Sequence, residues 1–246
     1  MTHGRQQDDF VKSMLTDKEL MSIQIDALFR QDANSRLLST NEPDRETSAP
    51  HIFLGRTKDG NLWRFRADLP ESLIEKLESL CSDEPVEAEP QKQPRHLQKY
   101  IRILETHAPV LKQEMGPAYR FARNFQPSRS AIVITETEAE KLRGGFEDLI
   151  DELPLYQPFL AVMSDDKAVS VCRSVRITAA AHEAGVETLP EFRRQGYAAA
   201  VVAAWATVVR SMGAIPLYST SWENTASQAV ARKLGLVQYG VDFHIS

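Results

Sequence analysis

The sequence predicts a mixed α+β protein, with a C-terminal half in which helices cover a mixed sheet and a smaller α+β region in front of it. Three observations carry this expectation. From Ser130 onward, short β-branched runs alternate with helical stretches, the pattern of an α/β layer structure. In the N-terminal half, residues 51–55 and 61–66 are strand-like runs on either side of Lys58-Asp59-Gly60, and an Asp-Gly between two such runs signals a hairpin. Between these regions and the C-terminus, residues 191–198 read as a short turn joining a strand that ends at Pro190 to an apolar helix reaching Met212.

The chain has 246 residues, 42% of them hydrophobic, enough for one large domain or two small ones with a buried core. We place the division between an N-terminal region, 1–105, and a second domain, 106–246. The net charge of −5 provides no overall cationic field to hold nucleic acid or an anionic membrane, and suits an amine partner better. Cys81 and Cys172 form no C-x-x-C pair, which points to reduced thiols in a cytoplasmic protein and away from a metal site. Residues 1–17 lack the apolar core of a signal peptide, and no apolar run approaches the length of a membrane span, so neither export nor insertion is expected.

Taken in order, residues 1–17 are polar and read as frayed or weakly helical. Leu20, Ile23, Ala27 and Leu28 have helical spacing, while 23–29 alternate as a strand does. The alternation and the Asp32-Ala33-Asn34-Ser35 turn tip the reading toward strand. Residues 41–50 read as a loop. In the hairpin, Trp63 and Phe65 share one face, and Arg64 and Arg66 share the other, a solvated one. Pro70 opens a helix through Leu80 with Leu73, Ile74, Leu77 and Leu80 on one side. Residues 82–94, rich in Pro and Glu, read as a linker or surface loop. A short helix over 96–104 and a strand entered at 116–121 follow.

In the C-terminal half, 131–134 is a strand, 138–153 is largely helical with a break at Gly144-Gly145, and 159–163 with 168–172 make a hairpin around Asp165-Asp166-Lys167. A strand over 181–189 leads into the turn. In the helix after it, Val201, Trp205, Val208 and Met212 step by four, three and four and form the core-facing stripe, and Gly213 ends the helix. A strand at 217–221, a helix at 225–233 capped by Gly235, and closing strand structure over 237–245 complete the chain.

The turn at 191–198 has the makings of an anion cradle. The first amides of a helix have no partner within it, and the positive end of the helix dipole lies at the same point. Gly196 lets a polyanion approach the backbone, and Ala198 keeps the next contact small. The same residues resemble the Arg/Gln-x-x-Gly-x-Gly/Ala turn of the GNAT acetyltransferase superfamily: Pro190, Arg193, Gly196 and Ala198 match it in place. Asn224 and Leu234-Gly235-Leu236 match the family's later Asn and Leu-Gly-Phe elements. The resemblance covers roughly residues 130–246 and implies a mainly antiparallel sheet flanked by helices.

It also implies acetyl-CoA as cosubstrate and direct attack by a primary amine of a small molecule or peptide within a ternary complex. For the diphosphate it points to the amides of Arg194, Gln195, Gly196, Tyr197 and Ala198 with charge from Arg193 or Arg194, and for pantetheine to main-chain groups of Val186 and Thr188. Asn224 either caps the following helix, meets the cofactor, or does both. The family's base position falls on His182, with Glu183 beside it; a histidine here is either structural or a proton acceptor. Glu187 either orients a cationic substrate, serves as a second water-relay carboxylate, or is a solvated or capping side chain. The family's usual acid, a tyrosine ahead of Leu-Gly-Phe, is replaced by Ala231, which leaves Tyr218, Ser219 or Ser221 as substitutes. Glu147, Asp148, Asp151 and Glu152 form either an acidic substrate rim or a solvated helix face. A catalytically silent acyl-CoA-binding sensor or scaffold is the competing reading, and a homodimer is compatible with both.

Overall fold

The computed structural model describes residues 15–86, 91–122 and 129–246. The first fourteen residues, read from sequence as frayed, lie outside the described residues, as do 87–90 of the expected linker. The chain is mixed α+β and divides into two compact units that interleave along the sequence: Met1–Thr40, Thr47–Ala118 and Gln238–Ser246 make one, Asn41–Glu46 and Tyr119–Val237 the other. The expected division at 105/106 is linear, whereas these units exchange segments.

In the first unit, α1 spans Asp17–Leu28 where a strand was favoured. The helix wins because Thr16 and Glu19 form a reciprocal capping box, and because Leu20, Met21, Gln24, Ile25 and Ala27 then bury one face together. Strand geometry begins only afterwards, with β1 (Phe29–Gln31) antiparallel to β2 (Leu37–Thr40). The hairpin of β3 (Ile52–Thr57) and β4 (Gly60–Phe65) is the one expected from the Asp-Gly. Arg66, read as solvated, is instead paired with Asp68 at 2.7 Å. Helices α2 (Glu71–Ser82) and α3 (Leu97–Leu104) pack Ile74, Leu77, Tyr100 and Leu104 into a core with Ile52, Leu54, Phe65 and Phe243.

The segment between α2 and α3 is more than a linker. Glu84 is buried, accepts from the amides of Arg95 (2.9 Å) and His96 (2.7 Å) at the start of α3, and takes the Tyr100 hydroxyl at 3.1 Å. Strand β5 (Gln113–Arg120) follows, and the last strand of the chain, β11 (Val237–Ile245), returns to this unit to lie between β3 and β5. There Gln24, on α1, donates to Asp242 at 3.0 Å and accepts from the Tyr239 hydroxyl at 2.7 Å.

The second unit is built on the strand order β10-β9-β8-β7-β6. β6 (Ile132–Val133), β7 (Phe159–Ser164), β8 (Lys167–Ile177) and β9 (Ala181–Thr188) are mutually antiparallel, and β10 (Ile215–Ser219) runs parallel to β9. The stretch expected to be largely helical is two 3-10 turns, Glu136–Leu142 and Glu147–Leu149, separated by Gly144 and Gly145 at φ 93° and 147°. α4 (Tyr197–Ser211) is the long apolar helix, and α5 (Thr225–Lys233) follows β10. Of the expected stripe in α4, Val201 and Trp205 are fully buried, Val208 is partly buried and Met212 is 58% exposed; Val202, Ala206 and Val209 complete the buried face. Four buried alanines, Ala199, Ala200, Ala203 and Ala206, let α4 lie close on the sheet, and Trp205 fills the space beside Phe121 and Cys172.

Candidate functional site

β9 has two unlike edges. Against β8 it is in register from Ile177↔His182 to Ser170↔Thr188; against β10 the pairing runs only from Ile215↔Ala181 to Leu217↔Glu183. From Ala184 onward the far edge has no strand partner among the described residues. The direction of the main-chain groups follows from two contacts: Leu189 N donates to Val169 O at 3.0 Å, and Glu187 O accepts from Ser170 Oγ at 3.0 Å. With a period of two, the odd residues face β8, so Val186 and Thr188 present theirs to the open edge. Thr188 O there accepts from Arg193 Nε at 3.3 Å.

Past β9 the chain makes one 3-10 turn, Pro190–Phe192, and enters α4 through Arg194 at φ 61° and Gly196 at φ 89°. Left-handed backbone suits glycine and is unusual at arginine, so the turn is held by its surroundings. Gly196 is the N-cap of α4 and supplies no side-chain acceptor; the first helical bond is Ala200 N to Gly196 O at 3.1 Å. Among the described residues, nothing accepts from the amides of Arg194, Gln195, Gly196, Tyr197, Ala198 or Ala199. An uncapped N-terminus with that many open donors is an anion site in waiting. Arg193 and Arg194 are exposed beside it, and the Gln195 side chain turns back to Glu191 O at 3.0 Å. The Tyr197 ring meets Phe192 edge-on and carries Arg129 at 4.5 Å from its centroid.

The open edge and the turn line a cavity of about 760 Å³, whose other wall is α5. That volume suits a cofactor-sized ligand. Asn224 lines it, and its Oδ1 caps α5 by accepting from Ser227 N at 3.0 Å, the capping role expected of it. Ala226, Val230 and Lys233 reach the cavity at helical spacing. A Cβ on Gly196 would stand 2.6 Å from Lys233 Nζ, which places a cation directly against the cradle. Sequence reasoning passed over Lys233 and Arg129; the register set by the Asn224 cap would have revealed Lys233, and no local signal marks Arg129.

The residues considered for proton transfer fall in different environments. His182 is buried, with Nδ1 2.9 Å from Ser174 Oγ, and Ser174 Oγ accepts from Trp205 Nε1 at 3.0 Å. The Nδ1 edge of the imidazole is thus engaged by Ser174, and burial pushes the imidazole pKa down. Glu183 is also buried and sits in the last β9–β10 pair before the strands part, with Ser219 Oγ 3.5 Å from Oε2. Glu187 lines the cavity and is bound to Arg173 at 2.7 Å. Tyr218 is buried with its hydroxyl 2.7 Å from Ser227 Oγ, and burial pushes its pKa up to about 12, so it carries its proton. Ser227 itself lines the cavity. Ser221 Oγ is occupied by Asn224 N at 3.2 Å. Ala231 is buried in the core beside α4.

The acidic stretch does not form a free rim. Glu147 caps the turn before it, accepting from Gly144 N and Gly145 N, and Glu152 is bound to Arg173 at 2.7 Å. Among the described residues, no group of three or more His, Cys, Asp or Glu stands placed to hold a metal ion, and no helix is long and apolar enough to cross a membrane.

Comparison with known proteins places this geometry in context. Residues 160–240 match the sequence model of the family described as GNAT acetyltransferase. No curated protein matches the chain. Among solved structures, a GCN5-related N-acetyltransferase-like protein from Streptococcus suis aligns at 15% identity and a TM-score of 0.46, over 80% of this chain and 85% of that one. A GNAT-family acetyltransferase from Novosphingobium aromaticivorans aligns at 15% identity and a TM-score of 0.43, over 55% of this chain and 65% of that one. The aminoglycoside N-acetyltransferase AAC(6')-Iy, solved in complex with CoA, aligns at 24% identity and a TM-score of 0.37, over 45% of this chain and 92% of that one. The match over 160–240, a third of the chain, spans the paired strands β7–β10, the turn, α4 and α5, and in that segment the chain is similar to GNAT acetyltransferases.

Proposed function

We propose that the chain is an N-acetyltransferase that passes the acetyl group of acetyl-CoA to a primary amine of a small molecule or peptide, by direct attack in a ternary complex. The observation that carries this reading is the meeting, on one cavity, of an unpartnered strand edge with the unpaired amides of Arg194, Gly196, Tyr197, Ala198 and Ala199. The residues fit the coenzyme: the diphosphate suits the amides with Arg193, Arg194 and Lys233 for charge, and the pantetheine amides suit the open groups of Val186 and Thr188. Gly196 at φ 89° lets that approach happen.

Acetyl-CoA would supply the activated thioester, and the chain supplies the proton handling. We assign Glu183 to take the proton the amine loses as its N–C bond forms, and Tyr218, through the Ser227 hydroxyl, to deliver one to the sulfur as the C–S bond breaks. Glu187, held by Arg173, faces an ammonium substrate. A cytoplasmic setting and independence from nucleic acid and membranes belong to the same proposal.

A second reading, a catalytically silent acyl-CoA-binding sensor or scaffold, is favoured by one feature: α5 carries buried Ala231 where the family's acid would stand. Calorimetry with acetyl-CoA and thiol release with a panel of amines separate the two. Heat together with thiol release supports the enzyme, heat with no release on any amine supports the sensor, and no heat with any CoA species overturns both.

A further inference from the structure

The loop Asn41–Glu46 leaves the N-terminal part of the chain to join the second unit. Its neck is closed by Thr40 N donating to Thr47 O at 2.8 Å. Three of its side chains take hold of the unit. Asn41 Nδ2 donates to Ile177 O at 3.1 Å at the end of β8, Glu42 Oε1 receives Arg176 Nη2 at 2.7 Å, and Asp44 accepts the Tyr156 hydroxyl. Arg45 adds a longer contact, 4.0 Å, to Glu152. The Glu42–Arg176 pair is four-fifths shielded on both sides, so water screens it little.

What the loop grips leads to the cavity by two routes. Along the backbone, residues 145–156 are a run of hydrogen-bonded turns, from Phe146 O through Leu149 and Glu152 to Tyr156; Gly145 and Phe146 line the cavity at one end and Tyr156 meets Asp44 at the other. Through side chains, Glu152 Oε2 forms an ion pair with Arg173 Nε at 2.7 Å that lacks hydrogen-bond geometry, and Arg173 Nη1 donates to the cavity-lining Glu187 at 2.7 Å. Arg173 and Glu152 are largely buried, whereas Glu187 is 46% exposed in its side chain. A rim carboxylate on an exposed strand position samples several rotamers, and its pairing with a buried arginine favours one.

We propose that Asn41–Glu46 is a strap that positions the acceptor wall of the cavity, with Glu42 and Asp44 as positioning residues acting through Arg176, Tyr156 and the Glu152–Arg173–Glu187 chain. The strap sets recognition of a cationic amine and leaves the coenzyme cradle alone. The inference rests on the transferase reading for the word acceptor, but its mechanical part stands on these contacts alone.

The test uses the full chain and the variants E42Q, R176E and E42R/R176E. Hydrogen exchange read by mass spectrometry should show amides of 145–156 exchanging about tenfold faster in E42Q, with those of Tyr197–Ser211 unchanged. The swapped pair E42R/R176E should restore the slow exchange that R176E loses. With acetyl-CoA saturating and spermidine, an aminoglycoside and a lysine peptide as probe amines, E42Q should raise the acceptor KM about tenfold while calorimetric binding of acetyl-CoA stays within about twofold. Unchanged exchange over 145–156 in E42Q, or weakened coenzyme binding in step with acceptor KM, would overturn the strap. Absence of acetyl-CoA heat in the parent protein would overturn the transferase reading instead, and the exchange arm would still decide whether the strap exists.

Discussion

The two ends of β9 are made of the same strand and do opposite things with their polar groups. At its N-terminal end, residues 181–183 are paired on both sides, and His182 is closed into Ser174 and Trp205. At its C-terminal end, Val186 and Thr188 turn main-chain groups to an edge that no strand covers, and six more amides stand open in the turn beyond. Amides at an uncapped helix N-terminus favour an anion, and the proposed coenzyme site rests on that end of the strand.

The contrast is broken most severely at Gly196. Gly196→Glu places a carboxylate and a strained left-handed residue in the cradle. Calorimetry should find acetyl-CoA affinity lowered by at least about 100-fold, on the order of 3 kcal/mol from lost charged hydrogen bonds, while far-ultraviolet circular dichroism is retained. Next in size, Glu183→Gln should lower kcat by about 100-fold with the coenzyme affinity kept, the usual scale for a lost proton acceptor. An unchanged rate in that variant would move the base elsewhere.

The closed end is sharpened by pH. Burial lowers the His182 pKa in the folded state below its unfolded value near 6.5. Below about pH 6.5 the unfolded chain binds a proton that the folded chain refuses, so stability falls as pH drops through that window and is level above it. His182→Gln should flatten this part of the curve of urea midpoint against pH; an identical slope would mean that the imidazole is not held neutral. Smallest of all, Asn224→Ala removes the cap of α5 and should cost about 1 kcal/mol, read as a lower midpoint in thermal unfolding.

What could be read from sequence was local. Gly196, Asn224 and Gly235 each announce a backbone event within a few residues, and the turn into α4, the start of α5 and its end stand where those residues put them. The misreading of α1 has the same origin: Ile23, Ile25, Ala27 and Phe29 satisfy a strand period, and the Thr16–Glu19 box, which lies upstream of that run, decides for helix. The long-range pairs were out of reach. Glu42 and Arg176 are 134 residues apart, and nothing in either neighbourhood names the other. The hydrogen bonds around His182 likewise run through Ser174 to Trp205, a residue that sequence assigned only to packing.

The return of β11 to a place between β3 and β5 bears on how the molecule is made. During translation β3 waits with an unpaired edge until Gln238–Ser246 have left the ribosome, long after the hairpin it forms with β4 is complete. Nascent chains stalled before Val237 should therefore remain sensitive to protease in their N-terminal portion, and acquire resistance only once that last segment is released.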